Sequence, residues 1–156
     1  MSILEIGSWE GRSLLWWLDN VATHSRATVT SIDPQRWGAA TYRKMFRHVS
    51  EHPRAQQITL IRGLSRHELP RLPEQSLDLI YVVGSHEGRD VLLDACLSFH
   101  LLTSGGILLL DDYKWPGDPD HPLDGLPGPA IDAFAVIFGS QLEELRRGYQ
   151  IAFRRR

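Results

Sequence analysis

The chain has 156 residues, of which 42% are hydrophobic and 23% are charged, and its formal net charge is -2. This length and composition predict one globular domain over residues 1–156 and exclude a disordered or fibrous protein. A near-neutral charge excludes binding to nucleic acid or to an anionic membrane through a global basic field, and no apolar run reaches the length of a transmembrane helix.

The sequence also indicates a compartment. The single cysteine, Cys96, has no partner for an intramolecular disulfide, which agrees with a reducing environment. Met1 is followed at once by strand-like residues, without the basic segment that begins a signal peptide. We therefore expect a cytoplasmic protein without a membrane partner, and the sequence leaves a homo-oligomer open.

Strand and helix patterns alternate along the chain. Short apolar runs predict strands at residues 3–6, 27–32, 57–61, 77–83 and 107–110, and a terminal hairpin at 141–147 and 149–154. Apolar residues at helical spacing predict helices at 11–20, 39–51, 89–102 and 129–138, with at most a short helix within 65–72. We expect Ser104-Gly105-Gly106 to end the helix before it, and residues 115–128 to form a loop.

This alternation predicts an α/β fold with a mostly parallel sheet and helices on both faces. Ligands of such sheets bind outside the carboxyl ends of the strands. Glycines and acids fall at five predicted strand ends, which we expect to converge there: Gly7, Asp33, Gly63, Gly84 and Asp111.

The segment from Gly7 to Gly11 joins the first strand to the first helix. Gly7 lets the backbone turn and approach a ligand closely, Gly11 permits close packing, and the helix N-terminus can receive a carboxylate. A tight strand–helix turn explains the same glycines, and both interpretations stay open. The segment lacks the Gly-Lys-Ser/Thr ending of a P-loop and the third glycine of a dinucleotide fingerprint.

Two acids near this segment indicate the kind of ligand. Asp33, at the end of the second strand, can accept both ribose hydroxyls of an adenosyl or nicotinamide cofactor, although an Asp-Pro turn also explains it. Glu5 lies in a buried strand, where an acid needs a partner. A ligand's ammonium group or backbone N–H groups would be that partner, which favours a zwitterionic cofactor.

The motif Leu4-Glu5-Ile6-Gly7-Ser8-x-x-Gly11-x-Ser13 resembles the first motif of class I S-adenosylmethionine (SAM)-dependent methyltransferases. The segment Ser31-Ile32-Asp33-Pro34 resembles their ribose-binding strand end, and Arg62-Gly63-Leu64-Ser65 resembles their adenine-flanking loop. Residues 78–86 and 105–113 resemble one subgroup, the small-molecule O-methyltransferases that include macrocin O-methyltransferase.

The resemblance implies a three-layer fold with a seven-stranded sheet in the order 3-2-1-4-5-7-6, the last strand antiparallel. Members usually carry a helical cover before the first strand, whereas this sequence begins within that strand, so we expect the fold without the cover, either as a truncated form or with another subunit or loop in its place. The resemblance also implies SAM as cofactor and O-methylation of a small hydroxylated metabolite. The implied cofactor-binding residues are Glu5, Gly7, Ser8, Gly11, Ser13, Asp33, Gly63, Leu64 and Ser65.

By the same resemblance, His86 is the general base, and Asp111 and Asp112 are ligands of Mg²⁺ or another divalent metal. The third ligand position holds Val83, which offers no oxygen to a hard cation, so the metal site is incomplete. This incomplete site keeps an alternative open, in which a methyltransferase-like binding or scaffold protein holds the cofactor without turnover. A nicotinamide or nucleotide enzyme is the third hypothesis, which the loop glycines argue against.

Overall fold

The computed structural model describes residues 1–120 and 125–156. Within these residues, seven strands form one sheet in the order β3-β2-β1-β4-β5-β7-β6. Strands β1 to β5 pair in parallel, and β7 pairs antiparallel with both β5 and β6. The predicted fold class is confirmed. The strands are β1 (Ser2–Ile6), β2 (Thr28–Asp33), β3 (Ile58–Arg62), β4 (Leu77–Val82), β5 (Leu102–Leu110), β6 (Leu142–Arg147) and β7 (Ile151–Arg155).

Helices connect the parallel strands, as the alternating sequence pattern predicts. The helices are α1 (Arg12–Asn20), α2 (Ala39–Ser50), α3 (Ser65–Glu68), α4 (Gly88–Leu101) and α5 (Pro127–Phe138), with 3₁₀ turns at Ala55–Gln57, Leu69–Arg71 and Gly139–Gln141. The segment 65–72 is one α-helical turn followed by a 3₁₀ turn. Residues 121–124 of the predicted loop lie outside the described residues.

The two faces of the sheet carry separate hydrophobic layers because successive strand residues point to opposite faces. On one face, Ile3 and Val29 pack with Leu14, Leu18 and Met45 of α1 and α2. The opposite face packs against α4 and α5, and its largest fully buried side chains include Leu4, Ile80, Leu108, Leu110, Ile131 and Phe134. The result is the predicted three-layer arrangement.

The start of β5 differs from the prediction. Helix α4 ends at Leu101, and the strand begins at Leu102 without an intervening cap, so the expectation that Ser104-Gly105-Gly106 ends the helix is wrong. The pairing of β4 with β5 shifts here, because Leu77 faces Leu102 whereas Leu79 faces Ile107. Gly105, with φ +81°, lies in this irregularity and serves a bulge within the strand.

The order of the strands places the ends of β1, β2, β4 and β5 side by side. The sheet reverses its winding between β1 and β4, where ligand crevices of open α/β sheets form. Among the described residues, no helix has both the length and the apolar character needed to cross a membrane.

Candidate active site

A cavity of about 590 Å³ opens where β1, β2 and β4 end. This volume lies within the range of about 300–1,000 Å³ that small-molecule sites occupy. Four of the nine predicted cofactor residues line the cavity: Gly7, Asp33, Leu64 and Ser65. The exposed ring of Trp37, in the loop after β2, also lines it.

Asp33 organises the wall of this cavity. Its Oδ2 accepts hydrogen bonds from the backbone N–H groups of Ser8 at 2.8 Å and Trp9 at 2.9 Å, and its Oδ1 accepts one from Gln35 at 2.6 Å. A carboxylate offers about four lone-pair positions. One position on Oδ1 therefore remains for a ligand, which suits one ribose hydroxyl where the sequence suggested two.

The floor of the cavity is a close contact between two glycines. Gly7 has φ +94°, and a Cβ built on it would lie 2.1 Å from the Cα of Gly84. The backbones after β1 and β4 thus touch at the point where the sheet reverses its winding. Only glycine at position 7 allows this approach.

Glu5 and Ser13 form a buried pair behind the cavity wall. The Ser13 hydroxyl donates a hydrogen bond of 2.9 Å to Glu5 Oε1, whereas the buried Glu5 Oε2 makes no hydrogen bond of standard geometry among the described residues and has only the Trp17 side chain to oppose the cost of its burial. Burial raises the pKa of Glu5 to about 8, although the Ser13 hydrogen bond opposes the rise. Glu5 faces α1, on the sheet face that carries Tyr81, and it does not line the cavity.

Three further predicted cofactor residues also lie off the cavity. The buried Ser8 hydroxyl accepts a hydrogen bond of 2.7 Å from Ser31. Gly11, with φ +81°, precedes α1 and packs against Met45. Gly63 packs against the side chain of Glu68. These residues shape the loops that carry the lining residues.

His86 lies one residue beyond Ser85, which lines the cavity. Its Nε2 lies 3.0 Å from Oδ2 of Asp112, and its ring centroid lies 4.7 Å from that of Trp115. The hydrogen bond with Asp112 raises the pKa of His86, and burial opposes the rise. An imidazole whose Nε2–H is held by a carboxylate presents Nδ1 as its proton acceptor.

Asp111 has different partners from Asp112. The Tyr81 hydroxyl donates a hydrogen bond to Asp111 Oδ2, and the Gln150 side-chain amide donates another at 3.0 Å. Burial raises the pKa of Tyr81, and the hydrogen bond with Asp111 raises it further. The Tyr81 hydroxyl therefore stays protonated and remains a hydrogen-bond donor. The two adjacent carboxylates therefore point to separate groups.

The sequence of this site matches a known family. The model of a family described as "Methyltransferase domain" matches residues 4–113, which is more than half of the chain. The chain belongs to this methyltransferase family. The match contains the second half of β1, all of β2 to β5 and every lining residue of the cavity. A search of the curated proteins found no match to this methyltransferase.

Solved structures share the fold of the methyltransferase at low sequence identity. One is the O-methyltransferase TomG from Streptomyces achromogenes, in complex with SAM, at 18% identity and a TM-score of 0.75 over 99% of this chain and 73% of that one. Another is the methyltransferase PaMTH1 from Podospora anserina, bound to SAH. It has 20% sequence identity and a TM-score of 0.74 over 99% of this chain and 71% of that one. An O-methyltransferase from Bacillus cereus, in complex with SAH, has 14% sequence identity and a TM-score of 0.73 over 99% of this chain and 74% of that one.

The residues predicted as metal ligands have separate protein partners in the methyltransferase. Asp111 and Asp112 bind separate partners, and Val83 supplies no ligand atom. The described residues contain no group of three or more His, Cys, Asp or Glu side chains arranged to hold a metal ion. The metal role of the two acids stays a prediction.

The cavity also has lining residues that the sequence analysis did not assign. Ser85, Asp90 and Asp94 line it from the end of β4 and from α4. The sequence could have indicated Asp94, since this acid lies between Val91 and Ala95 on the buried stripe of α4. An acid on an apolar helix stripe needs a partner or a function.

Glu5 makes the stability of the methyltransferase depend on pH. Its pKa is about 8 in the folded protein and has the ordinary value of 4.5 in the unfolded chain. Between these values the unfolded chain releases a proton that the folded protein retains, so stability falls as pH rises. The free energy of unfolding in urea, measured from pH 5 to pH 8, should therefore fall by up to about 1.4 kcal/mol per pH unit in the natural protein. We expect Glu5→Gln to lose this dependence on pH.

Glu143→Gln is the matched control, because Glu143 is exposed and pairs with Arg154 at 3.0 Å on the surface. This variant should keep the slope of the natural protein. An unchanged slope in Glu5→Gln would contradict the buried neutral acid.

Proposed function

We propose that this methyltransferase transfers the methyl group of SAM to a hydroxyl group of a small metabolite. One observation carries the proposal, namely that His86, which pairs with Asp112, directly follows Ser85 of the cavity that Gly7 and Asp33 also line. The neighbours in complex with SAM or SAH support the choice of cofactor. The O-methyltransferases among them support a hydroxyl acceptor.

The proposed cofactor contacts divide into two sets. Asp33 Oδ1 accepts one ribose hydroxyl, and the backbone at Gly7 receives the amino acid end of SAM. Leu64 and Ser65 flank the base. The remaining predicted residues support these contacts from behind the wall, and they are Glu5, Ser8, Gly11, Ser13 and Gly63.

His86 performs the proton transfer in this proposal. When bound, SAM supplies an electrophilic methyl group on a sulfonium centre. His86 Nδ1 accepts the proton of the acceptor hydroxyl as the oxygen–carbon bond forms and the carbon–sulfur bond breaks, leaving a methyl ether, SAH and an imidazolium. Asp112 fixes the ring through Nε2 and stabilises this imidazolium.

Cofactor binding is tested first, by calorimetric titration of the protein with SAH and, separately, with NAD⁺. We expect saturable binding of SAH only. Asp33→Asn should weaken SAH binding by about tenfold, because it removes a charged acceptor from the cavity wall. The melting temperature of this variant without ligand distinguishes two causes of weaker binding. A lower value indicates a loosened loop, and an unchanged value indicates a lost contact with the ligand.

Asp78→Asn is the matched control, since Asp78 accepts a hydrogen bond of 2.7 Å from the Ser2 N–H at the amino end of β4, away from the cavity. SAM is then incubated with a panel of hydroxylated small molecules, and released SAH is measured by chromatography. Binding of NAD⁺ in place of SAH would overturn the proposal. Binding of SAH without release across the panel would favour a binding protein without turnover.

A further inference from the structure

Asp94 is a buried acid in the cavity wall that the proposed mechanism does not use. Its side chain belongs to α4, and the residue is 2% exposed. It lines the cavity together with Leu93 from the same helix and with Leu64 and Ser65 from the loop after β3. The Ser65 side chain is its hydrogen-bond partner.

The charge state of Asp94 defines what it can bind. Burial raises its pKa to about 6, with Ser65 opposing the rise and Asp90 adding to it. At pH 8 the group is therefore an ionised carboxylate, which only accepts hydrogen bonds. With one bond from Ser65, several lone pairs remain for donors from a ligand.

The surroundings of Asp94 favour a flat base over a charged group. Leu64 and Leu93 give this end of the cavity apolar walls, which suit the faces of an aromatic ring. An ammonium group would lose its hydration against the same leucines. The polar backbone at Gly7 and the carboxylate of Asp33 serve the other parts of an adenosyl ligand.

Accepting SAM as the cofactor under the proposed function, we propose that Asp94 selects adenine by accepting a hydrogen bond from its exocyclic amino group. Adenine carries a donor at this position, whereas hypoxanthine carries a keto oxygen that a carboxylate repels. A site built around a hydrogen bond strongly rejects an analogue that lacks the partner group. Asp94 is thus a specificity-determining residue of the cofactor site.

The test compares SAH with S-inosylhomocysteine, its deaminated analogue, by calorimetry at pH 8. The natural protein should bind SAH at least about tenfold more tightly. In Asp94→Asn the ratio should fall to about threefold or less, because an amide can rotate to offer either its oxygen or its NH₂ group. Asp78→Asn is the matched control, since Asp78 lies at the amino end of β4 away from the cavity, and this variant should keep the natural ratio.

Each outcome has one meaning. No binding of SAH to the natural protein overturns the proposed function itself. If the natural protein binds SAH and S-inosylhomocysteine with equal affinity, the role of Asp94 is overturned by this measurement alone, without any variant. A ratio unchanged in Asp94→Asn also overturns it, including the case in which both affinities fall equally, since that result indicates a structural bond to Ser65 or an ammonium contact.

Discussion

Gly7→Ala should destabilise the protein by about 3–5 kcal/mol, the largest stability effect that we expect from a single methyl group. Two costs add at this position. The φ of +94° is unfavourable for any residue with a Cβ, and the new Cβ would lie 2.1 Å from the Cα of Gly84. Because that neighbour is backbone, the ends of β1 and β4 must separate to relieve the contact.

Two other glycines isolate the two costs. Gly105 has φ +81° with nothing within 4 Å of a built Cβ, so Gly105→Ala reports the backbone cost alone. Gly139 has an ordinary φ of -53° and equally open space, so Gly139→Ala should change stability by no more than about 0.5 kcal/mol. The free energy of unfolding in urea, measured for all three variants, gives the comparison.

A Gly7→Ala variant no less stable than Gly105→Ala would contradict the prediction. It would mean that the two strand ends move apart without cost, and that the cavity floor is not fixed by this contact. The same measurement therefore tests how rigidly the fold holds the candidate site.

The fold was predictable from the sequence because strand and helix periodicities alternate clearly. Leu77–Val82 is apolar except for Asp78, as is typical of a buried parallel strand. The order of the strands came from the family resemblance, since periodicity alone does not determine it. The early start of β5 was missed because a glycine pair such as Gly105-Gly106 is typical both of the end of a helix and of a bulge in a strand.

The candidate site was predictable at the level of strand ends and less so at the level of side-chain direction. Gly7 and Asp33 line the cavity as expected. Glu5 and Ser13 lie behind the wall instead, because alternation along β1 turns Glu5 toward α1. Sequence alone does not tell which strand-end side chains share a cavity.

The two adjacent acids show a second limit of sequence reasoning. Asp111 and Asp112 are neighbours in the chain, and the family resemblance implied that both bind one metal ion. In the structure Asp112 has φ +58°, and this turn directs the two carboxylates to different partners. Tyr81 and Gln150 bind one, and His86 binds the other. Such partners are distant in sequence, and only the folded sheet brings them together.

His86→Ala should lower kcat by about 10²–10⁴-fold with an acceptor identified in the panel, while leaving SAH affinity within about twofold. The physical reason is the loss of the group that accepts the hydroxyl proton. The His86 side chain is 44% exposed, so its removal creates an open space and little instability. Added imidazole should enter that space and restore part of the activity.

The controls separate the base from its support. His24→Ala removes an exposed imidazole in the loop before β2, at the amino ends of the strands, and should retain full activity. Asp112→Asn keeps an oxygen for His86 Nε2–H but loses the charge that stabilises the imidazolium, so we expect a smaller decrease in kcat, about tenfold. Full activity of His86→Ala, or a loss that imidazole does not restore, would show that another group accepts the proton. In that case the His86–Asp112 pair would only fix the loop after β4.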